Sequence, residues 1–261
     1  MTFRRSHRRA TRVVRGELHT AVQTWARGPD HTIVLVGVSH VGELSYFRTI
    51  AQVVASYLEA TVHYERTVRE DPPPPTTDRE WIRLEASRRS SRLVLRWAAE
   101  IADLGTQHGL PVDGWRNVDI AEVDLVRMCG RRGLAWFRIP GLHVQVDHGS
   151  LLTERQRRVL GHVARLLLVH TATWGRWLMS PMARRAVVHW RNAHAVSHAL
   201  RAVHSGPVVL IWGAGHLAGM GQLLRHNDFR LESVRWLRAV GRTPSVCEQG
   251  EAHRSTPVPR P

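Results

Sequence analysis

Ile33-Val34-Leu35-Val36-Gly37-Val38-Ser39-His40 and Val208-Val209-Leu210-Ile211-Trp212-Gly213-Ala214-Gly215-His216 lie near opposite ends of a 261-residue chain and carry its architecture. Each is an apolar, β-branched run that meets glycine and presents a histidine three residues later. Such a run reads as a strand buried on both faces, the mark of parallel pairing, and glycine lets the backbone turn where a bulkier residue would clash. Open α/β sheets bind ligands at the carboxyl ends of their strands. Two histidines far apart in sequence are therefore expected at one sheet edge.

On the amino-terminal side of the first run, Gly28-Pro29-Asp30 forms a turn, and Glu17 to Ala26 reads as a helix behind a basic arm. On the other side, Leu44, Phe47, Ile50, Val54 and Leu58 recur at spacings of three and four, which predicts an amphipathic helix over Glu43 to Glu59. Ala60 to Glu65 is a short β-prone run, completing a strand, helix, strand unit with parallel strands and a right-handed crossover. Asp71-Pro72-Pro73-Pro74-Pro75-Thr76-Thr77 is a stiff loop, followed by a long helix to Asp103. A strand is predicted around Trp115 to Ile120, with Asp119 at its end, then a short helix from Ala121 to Cys129. Further helices run from Thr153 to about Trp177 and, after Ser180-Pro181, to His204. The second run, a helix from Leu217 to Arg225 and a closing strand over Phe229 to Leu237 complete the order. The expected organisation is a basic arm and helix over 1–28, one α/β domain over 29–240, and a disordered tail over 241–261. Its central mixed or mostly parallel sheet is built from both chain ends, with a large helical insertion at about 78–204.

The formal charge is +15, and all 37 basic residues are arginine. Arg4, Arg5, Arg8, Arg9, Arg12 and Arg15 crowd the start with no acid among them, while the others alternate with Glu and Asp. This describes a solvated arm in weak contact with polyanions and charged helix faces, and no specific nucleic-acid site is expected. Without lysine, Schiff-base chemistry is excluded. Cys129 and Cys247 form no C-x-x-C and no disulfide framework, in keeping with a reducing compartment. Val159 to Met179 is the most apolar long segment, but it carries His162, Arg165, His170 and Arg176 and suits a buried amphipathic helix rather than a bilayer span. No apolar core or cleavage site follows the basic start, so a cytoplasmic protein is expected.

His40 and His216 lead the candidate residues, because imidazole serves both metal ligation and proton transfer near neutral pH. Taken singly, each is an ordinary turn residue; their shared glycine frame is what favours a common role. Glu65 ends the strand that follows the first run, so its carboxylate should emerge beside His40; the competing reading is a surface glutamate paired with Arg66 or Arg69. Glu43 is accounted for by the dipole of the helix it precedes. Arg191, His194 and His198 form one helical stripe, with Asn192 beside it; Ala195 stands where H-E-x-x-H would need its glutamate, so the histidine pair alone reads as packing and surface. An arginine with a neighbouring asparagine suits an oxyanion or a carboxylate. Gly37-Val38-Ser39-His40-Val41 misses the serine-hydrolase elbow because Val41 replaces its last glycine. Gly213-Ala214-Gly215-His216-Leu217-Ala218 fits a dinucleotide fingerprint, with Glu232 at ribose distance, yet at most one strand remains after it.

Together these blocks resemble the TraB/PrgY/GumN family, related to the TIKI-type proteins. The resemblance rests on Gly37-Val38-Ser39-His40, Val62-His63-Tyr64-Glu65, Arg191-Asn192 and Gly213-Ala214-Gly215-His216-Leu217-Ala218-Gly219 followed by Leu223-Leu224, in that order. It implies an α/β fold and a metal-dependent hydrolase site that cleaves peptide bonds. By this resemblance His40 and His216 are ligands of a divalent Mn, Co or Zn ion, and Glu65 is a third ligand or the base that activates water. Arg191 and Asn192 orient a peptide or small-molecule substrate or stabilise developing negative charge. The alternatives are a non-catalytic ligand- or signal-binding protein of the same fold and, behind it, a dinucleotide-binding enzyme.

Overall fold

The structure, a computed structural model, describes residues 10–66, 96, 99–107, 110–121, 124, 128, 153–174 and 185–242. Its strands are β1 (Thr11–Val14), β2 (Glu17–Arg27), β3 (His31–Val38), β4 (Val41–Gly42), β5 (Thr61–Tyr64), β6 (Gly105–Thr106), β7 (Arg116–Asn117), β8 (Val208–Gly213) and β9 (Arg230–Val240). The α-helices are α1 (Leu44–Ala55), α2 (Glu154–Trp174), α3 (Arg191–Ala202) and α4 (Leu217–His226), with a π-helical turn at Arg185–Trp190 leading into α3. The fold is α/β, as the two apolar runs require.

The main sheet has the order β1-β2-β3-β8-β5-β7, and β9 also pairs with β2. β8 lies between β3 and β5 and is parallel to both, so the strand from the far end of the chain enters the middle of the strand, helix, strand unit. β7 adds in parallel to β5, whereas β1, β3 and β9 are antiparallel to β2. The sheet is mixed and is contributed by both chain ends.

Helices cover both faces. Phe47, Ile50, Val53 and Val54 of α1 pack on Val34, Val36, Val209 and Ile211. Ala195, Val196 and Ala199 of α3, with Leu217, Met220 and Leu224 of α4, pack on Ile33, Leu35, Leu210 and Trp212. Alternate residues of the same strands therefore fill opposite cores, which is why β3 and β8 are apolar throughout.

The segment Glu17–Ala26, expected to be helical, is instead strand β2. Leu18, Ala21, Val22 and Trp25 do fall at helical spacings, but both edges of β2 are paired and both faces are covered, so burial hides the alternation of a half-exposed strand. Register shifts against β9 at Leu18/His19 and Thr24/Trp25 blur it further. The reading of 1–28 as an arm and helix gives way to β1 and β2 over the described part.

α1 ends at Ala55, β5 occupies Thr61–Tyr64, and the closing strand reaches Val240. Within the expected insertion at 78–204 the described residues include α2 and α3 together with the short strands β6 and β7. The proline loop, most of the helix before Asp103, the 241–261 tail beyond Arg242, Cys129 and Cys247 lie outside the described residues. Among those described, no helix is long and apolar enough to cross a membrane.

Glu43, at the amino end of α1, does more than face a helix dipole. It is fully buried and accepts hydrogen bonds from Arg165 of α2, Arg238 of β9 and the Gly241 N–H. Arg165 also donates to the carbonyls of Ala102, Asp103 and Gly241. This buried ionic hub fastens α1, α2 and the end of β9 together.

Candidate functional site

Because β3, β8 and β5 are neighbours and parallel, their carboxyl ends deliver His40, Ala214–His216 and Glu65 to the same sheet edge. The ladder runs one residue past β5, since the Glu65 N–H donates to the Ile211 carbonyl at 3.1 Å. The carboxylate then reaches across β8 and accepts the Gly213 N–H. The other carboxylate oxygen, Oε1, lies 3.8 Å from His216 Nε2. Residues separated by most of the chain thus meet.

Arg191 begins α3 and sits in the wall behind Glu65. It donates to Glu65 Oε1 at 2.7 Å and, through Nε at 2.8 Å and a second bond, to the buried carboxylate of Asp119. Asn192 serves His216 in the same way. Its Oδ1 lies 2.7 Å from His216 Nδ1, and its Nδ2 donates to the His216 carbonyl at 3.3 Å. Since the amide nitrogen must face that carbonyl, Oδ1 faces the ring. His216 therefore carries its proton on Nδ1 and leaves the Nε2 lone pair towards Glu65.

Gly219 explains the last glycine of the G-x-G-H-L-x-G block. A Cβ there would run into Asn192 Nδ2, so only glycine lets the asparagine approach closely enough to hold His216.

His40 is exposed at the rim. Its Nδ1 is 2.9 Å from Gln107 Oε1, and its carbonyl accepts the Gln107 N–H at 3.1 Å. An amide oxygen only accepts, which again protonates Nδ1 and frees Nε2. The turn before His40 is pinned by the buried Tyr46 hydroxyl, which accepts from the Ser39 N–H at 2.9 Å and donates to the Gly37 carbonyl at 3.2 Å. The Ser39 hydroxyl donates to the Val41 carbonyl at 2.7 Å, a turn bond rather than the pose of a nucleophile.

Charge is distributed to match. Burial by itself would raise the Glu65 carboxyl, but Arg191, then His216, His40 and the Gly213 N–H outweigh it and hold Glu65 at about 2. Burial lowers His216; Glu65 and Asp119 pull it up, Arg191 and His40 push it down, and the balance stays below the usual imidazole value. Burial works against the Arg191 cation, yet Glu65 and Asp119 carry it above its ordinary range. Near neutral pH the centre holds an ionised carboxylate beside a neutral imidazole.

Of the residues singled out from sequence, Glu65, His216, Arg191 and Asn192 are joined by direct contacts, and His40 lies near enough to act electrostatically on both Glu65 and His216 when protonated. Arg191 and Asn192, expected to face substrate, direct the bonds described here to Asp119, Glu65 and His216. Asp119 and Gln107 were not among the candidates. Asp119 follows β7, so the strand-end argument that found Glu65 applies to it equally; Gln107 had no motif to mark it. The dinucleotide fingerprint spends its Gly213 N–H on Glu65, and among the described residues a single strand, β9, follows it.

No protein-family model, curated protein or solved structure matches the chain.

A divalent metal can be tested against these donors. In both histidines Nδ1 is held by an amide oxygen and Nε2 is left for a ligand, the orientation that metal-binding imidazoles need. Glu65 adds an ionised oxygen donor, and with Asp119 it outweighs the single Arg191 cation. Among the described residues no three His, Cys, Asp or Glu side chains already surround one point. The donor chemistry suits Zn, Mn or Co.

Proposed function

We propose that the chain is a metal-dependent hydrolase of the TraB/PrgY/GumN type, acting on peptide bonds, with His40, His216 and Glu65 as its metal ligands. The observation that carries this reading is the approach of His216 Nε2 to Glu65 Oε1, 3.8 Å apart and each oriented by its own buried partner. A bound ion supplies Lewis-acid polarisation of a carbonyl and a more acidic water. The chain's own residues do the rest. Arg191 keeps Glu65 ionised and aimed, so that it serves as ligand or as acceptor of a water proton. Asn192 fixes the His216 tautomer. Exposed His40 is the group that an entering substrate meets first. Arg191 and Asn192 act here as positioning residues.

The test is digestion of a mixture of short peptides by the full-length protein, supplied separately with Mn, Co or Zn, and read by mass spectrometry. Cleavage with at least one metal is expected, falling about a hundredfold or more in His40→Ala and Glu65→Gln. No cleavage with any of the three would overturn the proposal. The engagement of both Glu65 oxygens, by Arg191 and by the Gly213 N–H, favours one second reading, a ligand-binding protein of the same fold. In that case ligand-dependent thermal stabilisation survives Glu65→Gln.

A further inference from the structure

His63 is 1% exposed, and neither of its ring nitrogens has a hydrogen-bond partner among the described residues. A buried polar group of this kind is uncommon and points to the cluster around it. On β5, His63 precedes Glu65 by two residues and so faces the same α3 layer, and its register partner on β7 is Arg116. Its ring meets His198 at 6.3 Å in an edge-to-face contact, and His198 meets His194 at 4.7 Å. Along α3, Arg191, His194, His198 and Arg201 follow at spacings of three and four, one stripe facing the β5–β7 edge.

The charges that act on this cluster have one sign. Those felt by His198 come from His194, Arg201 and Arg116, with no carboxylate among them, and Arg116 is also the register neighbour of His63. Arg116 and Arg201 are exposed and have no ion-pair partner among the described residues. The spacing of His194 and His198 would suit a metal, but two guanidinium groups repel a cation, and no metal-holding group of three donors is found among the described residues. An anion meets neither objection.

The geometry points to an oxyanion-binding subsite at the β7–α3 edge, in which the exposed Arg116 and Arg201, with the half-buried His194 and His198, hold a phosphate or carboxylate group on the outer side of the buried His63. It lies one helical turn from Arg191 on the same stripe, so its occupant is either a free anion or the anionic end of a ligand whose other part reaches Glu65. Binding of a free anion does not require the Glu65 centre to be catalytic.

Calorimetric titration of the full-length protein with inorganic phosphate, and separately with acetate, tests it. Saturable binding of at least one of them is expected, weakened about tenfold or more in Arg116→Gln and in His198→Gln and unchanged in Arg235→Gln, an exposed arginine of β9 away from this edge. Should Arg116→Gln fail to fold, Arg201→Gln, whose side chain is exposed at the end of the same stripe, is read in the same way. Competition of phosphate with an acidic peptide but not with its amidated form assigns the subsite to a ligand's own anion; competition with neither assigns it to the free ion. Absence of saturable binding, or equal binding in the variants, overturns the inference. So does saturable Zn uptake that His198→Gln abolishes and phosphate leaves untouched.

Discussion

Glu65 concentrates the electrostatics of the centre. Its carboxyl stands at about 2 in the folded protein against an ordinary 4.5. A folded-state value below the unfolded one contributes stability that is complete above pH 4.5 and is lost as pH falls through 2. The displacement corresponds to roughly 3 kcal/mol. Urea midpoints measured across this acid range should fall steeply in the native protein and flatten in Glu65→Gln. A parallel fall in both proteins would mean that other carboxylates govern acid unfolding. Glu65 was legible in the sequence because it ends a β-prone run soon after a glycine-histidine turn. Its partners were less so: Asp119 lies 54 positions on, beyond the proline loop, and no local pattern ties it to Arg191.

Where α3 meets α4, an asparagine faces a glycine. Gly219→Ala pushes a methyl group into Asn192 and is expected to cost about 1–3 kcal/mol. In an Asn192→Ala background the clash disappears, and alanine's better helix propensity makes the same change neutral or stabilising by up to about 1 kcal/mol. A double-mutant cycle by chemical denaturation measures the coupling. Additive effects would show that Gly219 and Asn192 do not touch. α1 was readable from its spacing of three and four, and β3 and β8 from unbroken apolar runs that burial on both faces requires. β2 was not: Leu18, Ala21, Val22 and Trp25 satisfy a helical spacing, and only the neighbours β3 and β9, distant in sequence, make them a strand. Glu43 was misjudged for a related reason, since Arg165 and Arg238, which bury it in an ionic hub, lie far along the chain.

The topology explains why a site can be assembled from the two halves of the polypeptide. β8 enters between β3 and β5, so three parallel strand ends present His40, His216 and Glu65 along one edge, with α3 supplying the wall. The paired glycine-histidine runs foretold a shared edge. They did not foretell the strand order, which depends on packing both sheet faces, or the set-back of His40 at the rim beside Gln107.

Whether His40, His216 and Glu65 hold a metal ion together is decided by equilibrium dialysis of the full-length protein against Mn, Co and Zn, followed by elemental analysis. Stoichiometric retention of at least one of these ions is expected, with affinity lost in His216→Ala and lowered about ten- to a hundredfold in Asn192→Ala, where the imidazole is still present but no longer oriented. Native protein that retains none of the three, or His216→Ala protein that retains as much as the native, would contradict it.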